Sequence, residues 1–149
     1  MNNWLHEVDG FKFQLSDNFT SEYYGFIYRI TNLETGKIYI GKKSFIHNKK
    51  KKLGKKEIAA LPTARGRKPT TKTEQVDSGW KTYYGSSKDL LADVKLLGED
   101  KFERVILRFG KNKKQLTFFE IQQQIIDNVL FTDSYNDTIL GKFYRSDFK

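Results

Sequence analysis

Two tyrosines eleven positions apart, Tyr28 and Tyr39, are the side chains of this 149-residue chain best spaced to do chemistry together. They lie in Tyr24–Gly41, which reads YGFIYRITNLETGKIYIG. Two apolar runs, Phe26–Ile30 and Ile38–Ile40, flank Asn32–Gly36, a stretch of turn-forming residues. That pattern predicts a β-hairpin. With Leu33–Gly36 as a four-residue loop, Asn32 pairs with Lys37, Ile30 faces Tyr39 and Tyr28 faces Gly41. Strand side chains alternate, so both phenols then share one face, diagonally across the ladder. Gly41 leaves open space beside Tyr28, with Lys37 and Lys42 close by. A phenol can relay or accept a proton if cations lower its pKa of roughly 10.

Around this hairpin, the elements follow in a short order. Residues 1–23 hold scattered aromatics, and Phe11, Phe13 and Leu15 alternate as in a short strand; this segment is expected to wrap over the core. His6 is read as a surface residue. Leu90, Leu91, Val94 and Leu97 recur at helical spacing between Ser86 and Gly98, which predicts a helix over 87–97. Lys101–Phe109 has strand composition. A second helix is expected over 114–130, with Phe118, Ile121, Gln122, Ile125, Ile126 and Val129 on one side. The tail follows. The order predicts an α+β domain: a small three-stranded antiparallel or mixed sheet flanked by helices, with a long basic insertion after the first hairpin. A single domain over 1–149 is expected, with 42–79 as the insertion.

Composition narrows the partners. The net charge is +9 with 15% aromatic residues, so a core and a polyanion partner are both expected. Residues 42–72 hold twelve Lys or Arg against one acid, Glu57, so the rest of the chain carries −2. The segment is expected to be a mobile loop in the free protein that tracks phosphates when bound. Its candidate nucleic-acid contacts are Lys43, Lys49, Lys50, Lys51, Lys52, Lys55, Lys56, Arg67 and Lys68, with Lys88 beyond it. The chain has no cysteine, which excludes disulfides, thiolate nucleophiles and cysteine metal sites. No long apolar run suggests a membrane span or signal peptide, so a cytoplasmic protein is expected. It would be the host cytoplasm were the chain phage-encoded, an origin its size and character fit.

The hairpin resembles the GIY-YIG nuclease family. Gly25–Phe26–Ile27–Tyr28 stands for the first half of the motif, with Phe26 as an extra residue, and Tyr39–Ile40–Gly41 for the second. Tyr83–Tyr84–Gly85–Ser86–Ser87–Lys88 is a rival second half, but it would abandon the hairpin. The resemblance continues in order to about residue 139, and Trp80–Leu90 looks like a phage-type branch of the family.

The resemblance implies phosphodiester cleavage of DNA, duplex rather than single-stranded, with one Mg²⁺ (or Mn²⁺) held by Glu120. Tyr28 would be the proton acceptor, Tyr39 its partner and Asn136 the late asparagine of the site. Relatives carry an arginine on a helix about ten residues after the second tyrosine; here that position is Lys49, inside the lysine run. The cation is then expected from Lys42, Arg65, Arg67 or Lys88. Helical periodicity alone puts Glu120 on a solvated face, opposite Phe118, Ile125 and Val129; only the family order selects it over Glu103 or Asp127. The alternative is a non-catalytic nucleic-acid-binding protein on the same fold, its site degraded by loss of that arginine. A basic protein docking on an acidic partner or membrane surface is a third reading. Strong sequence specificity would have to come from the insertion or from a homodimer.

Overall fold

A computed structural model describes residues 3–62 and 66–149. Arg65, one of the four cation candidates, lies outside the described residues. The chain divides into two compact units, Met1–Phe45 with Gly79–Lys149, and Ile46–Ser78.

The larger unit is built on a five-stranded sheet in the order β2-β1-β7-β3-β4. These strands are β1 (Leu5–Val8), β2 (Phe11–Gln14), β3 (Gly25–Asn32), β4 (Ile38–Ser44) and β7 (Phe102–Gly110). The three strands expected from the sequence are its β4-β3-β7 part, antiparallel throughout. The N-terminal segment adds two more: β1 runs parallel to β7, and β2 folds back on β1. The β3–β4 register is the one the four-residue loop dictates, with Ile30 opposite Tyr39 and Tyr28 opposite Gly41. Asn32 fixes the turn. Its backbone N–H donates to Lys37 O (2.9 Å), and its side-chain oxygen accepts from the N–H groups of Glu34 and Thr35.

Strand β3 is apolar on both faces because both are covered. One face packs Phe26, Tyr28 and Ile30 into an aromatic cluster with Trp4, Phe45, Trp80, Tyr84, Phe102 and Tyr135. Helix α2 (Lys88–Leu97) closes that side through Leu90 and is N-capped by Ser87, whose hydroxyl accepts from Leu90 N. On the other face, Ile27 and Ile40 pack with Leu116 of α3 (Lys113–Ile126) and with Val129, Leu130 and Ile139 of the tail. The tail carries a small hairpin, β8 (Thr138–Ile139) with β9 (Phe143–Tyr144).

Helix α3 is turned away from its expected orientation. Phe118, Ile125 and Ile126 are 62%, 63% and 67% exposed, while Leu116 and Gln124 are buried and Glu120 is largely covered. The covered face mixes Leu116 and Ile121 with the polar Glu120 and Gln124, and the reason lies at the sheet edge described below. Val129 is buried, but past the end of the helix.

The smaller unit is not the loop that its charge suggested. Strands β5 (Ile46–Lys52) and β6 (Thr71–Asp77) form an antiparallel ribbon of seven facing pairs, with the short helix α1 (Lys55–Ala59) between them. Thr71, Thr73 and Val76 suit a strand. Glu74 lies opposite Lys49 and within 3.8 Å of Lys51 and 3.4 Å of Lys72, so β6 partly neutralises the lysine run that it pairs with. Lys42 and Lys43 belong instead to β4, in the larger unit. Among the described residues, no helix is long and apolar enough to cross a membrane.

Candidate active site

The two motif glycines are required by space, not by backbone angle. A Cβ built on Gly41 would collide with the Tyr28 hydroxyl and stand 2.6 Å from its Cζ and 3.0 Å from Tyr39 Cε1. A Cβ on Gly25 would collide with the Lys43 carbonyl and stand 2.9 Å from Leu116 Cδ2. Gly41 is thus the gap into which two phenols lean. Their ring centroids are 6.1 Å apart.

Tyr28 is 1% exposed, with Trp4, Phe26 and Tyr83 packed edge-on around its ring. Burial pushes its phenol well above the ordinary value; Tyr39, Tyr83 and a hydrogen bond with Tyr83 act the same way, as does Glu120. Tyr39 is half-buried and shares a 3.0 Å hydrogen bond with Ser86 Oγ. Burial raises its phenol too, and the Ser86 bond partly offsets this. The expectation that nearby cations lower a tyrosine is therefore corrected: removal from water dominates, because burial disfavours the phenolate.

Among the described residues, Lys42 is the cation that pairs with Glu120. It stands on β4, donates to Thr117 Oγ1 at 2.9 Å and lies 3.9 Å from a Glu120 oxygen. Burial raises the Glu120 carboxyl, and Lys42 works against that rise. Glu120 lines a cavity of about 540 Å³ with Tyr39, Ser86, Ser87, Lys88, Gln124 and Asn136, among others. Lys88, at the start of α2, thus opens onto the same cavity as Tyr39 and Glu120.

Asn136 is 5% exposed and does not face the cavity as a free amide. Its Oδ1 accepts from Ile40 N and its Nδ2 donates to Ile40 O, both at 2.9 Å. It replaces a neighbouring strand at the edge of β4. Gln124 Nε2 donates to the same carbonyl at 3.2 Å. Asn136 is therefore a positioning residue.

Several site residues carried no clear signal in the sequence. Tyr83 packs against Tyr28 and lies under Lys43 Nζ, 4.1 Å from its ring centroid. Arg104, 1% exposed within β7, donates to the carbonyls of Lys81 (3.0 Å) and Tyr83 (2.9 Å) and stacks on Trp4 and Tyr84, so it ties that segment to the sheet. The rival motif half at Tyr83–Ser86 is in fact the wall against Tyr39: a Cβ on Gly85 would come within 3.1 Å of the Tyr39 ring. A lone tyrosine or serine in a polar stretch could not announce such a contact.

Lys49, Lys50, Lys51, Lys52, Lys55, Lys56, Arg67 and Lys68 all belong to the smaller unit, where they are exposed. Arg67 is accordingly not among the residues that the larger unit brings around Glu120.

Residues 4–147 match the family model described as "Putative endonuclease segE, GIY-YIG domain". Searches of the curated proteins and of the solved structures found no significant match. The chain belongs to the GIY-YIG family of endonucleases. It is an enzyme of phosphodiester hydrolysis, and its substrate is a nucleic acid. Enzymes of this family generally depend on a divalent metal.

Proposed function

We propose that this protein is a DNA endonuclease that uses one Mg²⁺, or Mn²⁺, held by Glu120. The observation that carries this reading is the Tyr28–Tyr39 pair at Gly41 together with Glu120, which lies beside Lys42 and lines the same cavity as Tyr39. Among the described residues, no three His, Cys, Asp or Glu side chains cluster as a cage. A single carboxylate on an open cavity nevertheless fits Mg²⁺, which keeps its waters and takes substrate phosphate oxygens as ligands. When bound, the ion supplies Lewis-acid stabilisation of the charge that develops on the phosphate.

The chain's own residues do the rest. Lys42 is held in place by Thr117 and adds a fixed positive charge beside Glu120, where negative charge builds up on the substrate. It stands on a strand, a firmer platform than a loop. It is a cation in the place that the displaced arginine leaves open, which favours the catalytic reading over a non-catalytic binding protein. Tyr39 orients water and, with Tyr28 behind it, relays the proton; burial favours the neutral phenol of each. Tyr39 meets the cavity, and Tyr28 backs it. Asn136 holds Ile40, and with it the register of Tyr39 and Gly41. Lys88 receives a neighbouring phosphate.

The test is supercoiled plasmid with Mg²⁺, with EDTA, and with Glu120→Gln. Nicking or linearisation should require Mg²⁺ and be lost in Glu120→Gln, while DNA binding in EDTA persists. Cleavage undiminished in EDTA, or in Glu120→Gln, sinks this reading.

A further inference from the structure

The ribbon of the smaller unit has two different faces. Alternation along β5 and β6 puts His47, Lys49, Lys51, Lys72, Glu74 and Val76 on one of them. Glu74 and Val76 are half-covered there, and Glu74 is ion-paired with Lys51 and Lys72. The opposite face carries Asn48, Lys50, Lys52, Thr71, Thr73 and Gln75, every one exposed. Asn48 and Gln75 are directly opposed, and Lys50 and Lys52 face Thr73 and Thr71. Neither amide has a hydrogen-bond partner among the described residues. Its only acid, Asp77, lies at the base of the ribbon, opposite Ile46.

We propose that this second face enters the major groove of duplex DNA and reads base edges through Asn48 and Gln75, flanked by phosphate contacts from Lys50 and Lys52. The inference rests on the reading of the substrate as duplex DNA and adds to it a source of sequence preference. B-DNA's major groove admits a two-stranded β-ribbon. Asn and Gln are the side chains whose amides match the N6 and N7 edge of adenine in two hydrogen bonds. Lysines on the same face lie where the groove walls carry phosphate. Glu74 lies on the far face and Asp77 at the base of the ribbon, so no carboxylate stands among Lys50, Lys52, Thr71 and Thr73. An unpartnered pair of amides in the middle of a cationic ribbon has no structural work to do in the free protein. A-form RNA, with its narrow and deep major groove, does not admit such a ribbon.

The experiment is selection of binding sites from a random duplex pool by the full chain in EDTA, so that cleavage plays no part. Wild type should enrich a short motif containing A·T pairs, and should protect guanine N7 atoms next to it from dimethyl sulfate. Asn48→Thr with Gln75→Thr keeps strand-forming residues at both positions. It should lose about tenfold discrimination per contacted base pair, with non-specific affinity and salt slope unchanged. Lys50→Ala with Lys52→Ala should make the slope of log K against log salt shallower by about two units. An RNA duplex of the same sequence should show no preference. The inference is overturned by a wild type with no sequence preference, by absent N7 protection, or by a motif that survives the double threonine substitution. Binding alone is read, so loss of plasmid cleavage would sink the nuclease reading and leave this result standing.

Discussion

Gly41→Ala adds one methyl group where two phenols already stand. The new Cβ would meet the Tyr28 hydroxyl, with Cζ at 2.6 Å and Tyr39 Cε1 at 3.0 Å. Tyr28 cannot swing away, because Trp4, Phe26 and Tyr83 surround its ring. Tyr39 has more room but is tied to Ser86. Overpacking of a closed site costs about 1–3 kcal/mol, and each kcal/mol shifts Tm by about 2–4 °C at this chain length. A fall of about 2–12 °C is expected, together with a large loss of cleavage, since both phenols must move. Trp4 and Trp80 are the chain's two tryptophans and both lie in the aromatic cluster of the larger unit, so their fluorescence follows the unfolding of that unit. Gly25→Ala should cost more, because its Cβ meets the backbone carbonyl of Lys43 rather than a side chain. A Gly41→Ala protein that melts within 1 °C of wild type and cleaves normally would refute the steric account of the motif. So would a Gly25→Ala protein that is the more stable of the two.

Tyr39→Phe should lose most cleavage with little change in Tm, since among the described residues its hydroxyl hydrogen-bonds only Ser86; normal cleavage rates would remove it from the proton relay. For Glu120, a raised carboxyl means that the folded state binds the proton more tightly than the unfolded chain does. The stability tied to that proton is complete below the ordinary value of 4.5 and is lost as pH rises through the raised value. Glu120→Gln in EDTA should therefore melt higher than wild type at pH 7 and lose that advantage at pH 4. A lower Tm at pH 7 would mark the carboxylate as structural. Ile125→Ser should change stability by no more than about 0.5 kcal/mol, as at an exposed position, against about 2–5 kcal/mol for truncating a buried isoleucine. A loss in the upper range, read by thermal melting, would restore the orientation of α3 that periodicity suggested.

Local rules were legible; decisions made by tertiary contacts were not. The hairpin register followed from a four-residue loop and period-two alternation, and both outcomes are local. The Gly98 stop of α2 is local too, whereas its cap is Ser87 rather than the expected Ser86, whose hydroxyl bonds Tyr39 instead. The β5–β6 ribbon was missed because its strands are separated by α1 and a long connection, and because four consecutive lysines look like solvated coil. The sequence named Tyr28, Tyr39 and Glu120 through the family order. It could not reveal that Tyr28 is sealed, that Lys42 stands beside Glu120, or that Asn136 holds backbone.

The inversion of α3 has a cause in the sheet edge. On its outer edge strand β4 has only a parallel bridge at Ile38 with Ser134 among the described residues, so the outward N–H and C=O groups of Ile40 need partners. No strand supplies them. Asn136 takes both groups, and Gln124 adds a second donor to the carbonyl. Lys42, two residues along the same edge, finds Thr117 and Glu120. A helix laid on that edge must turn polar residues inward, and Thr117, Glu120 and Gln124 are the ones at the right spacing. Phe118, Ile125 and Ile126 are left outside as a consequence. The tail that carries Asn136 is itself clamped by Arg145, whose guanidinium donates to the carbonyls of Val129, Thr132 and Asn136 at 2.6–2.9 Å. The requirement that closes the sheet edge is thus the same one that brings a carboxylate beside the two phenols. For that reason, a pattern based on apolar periodicity alone placed Glu120 on the wrong side of its helix.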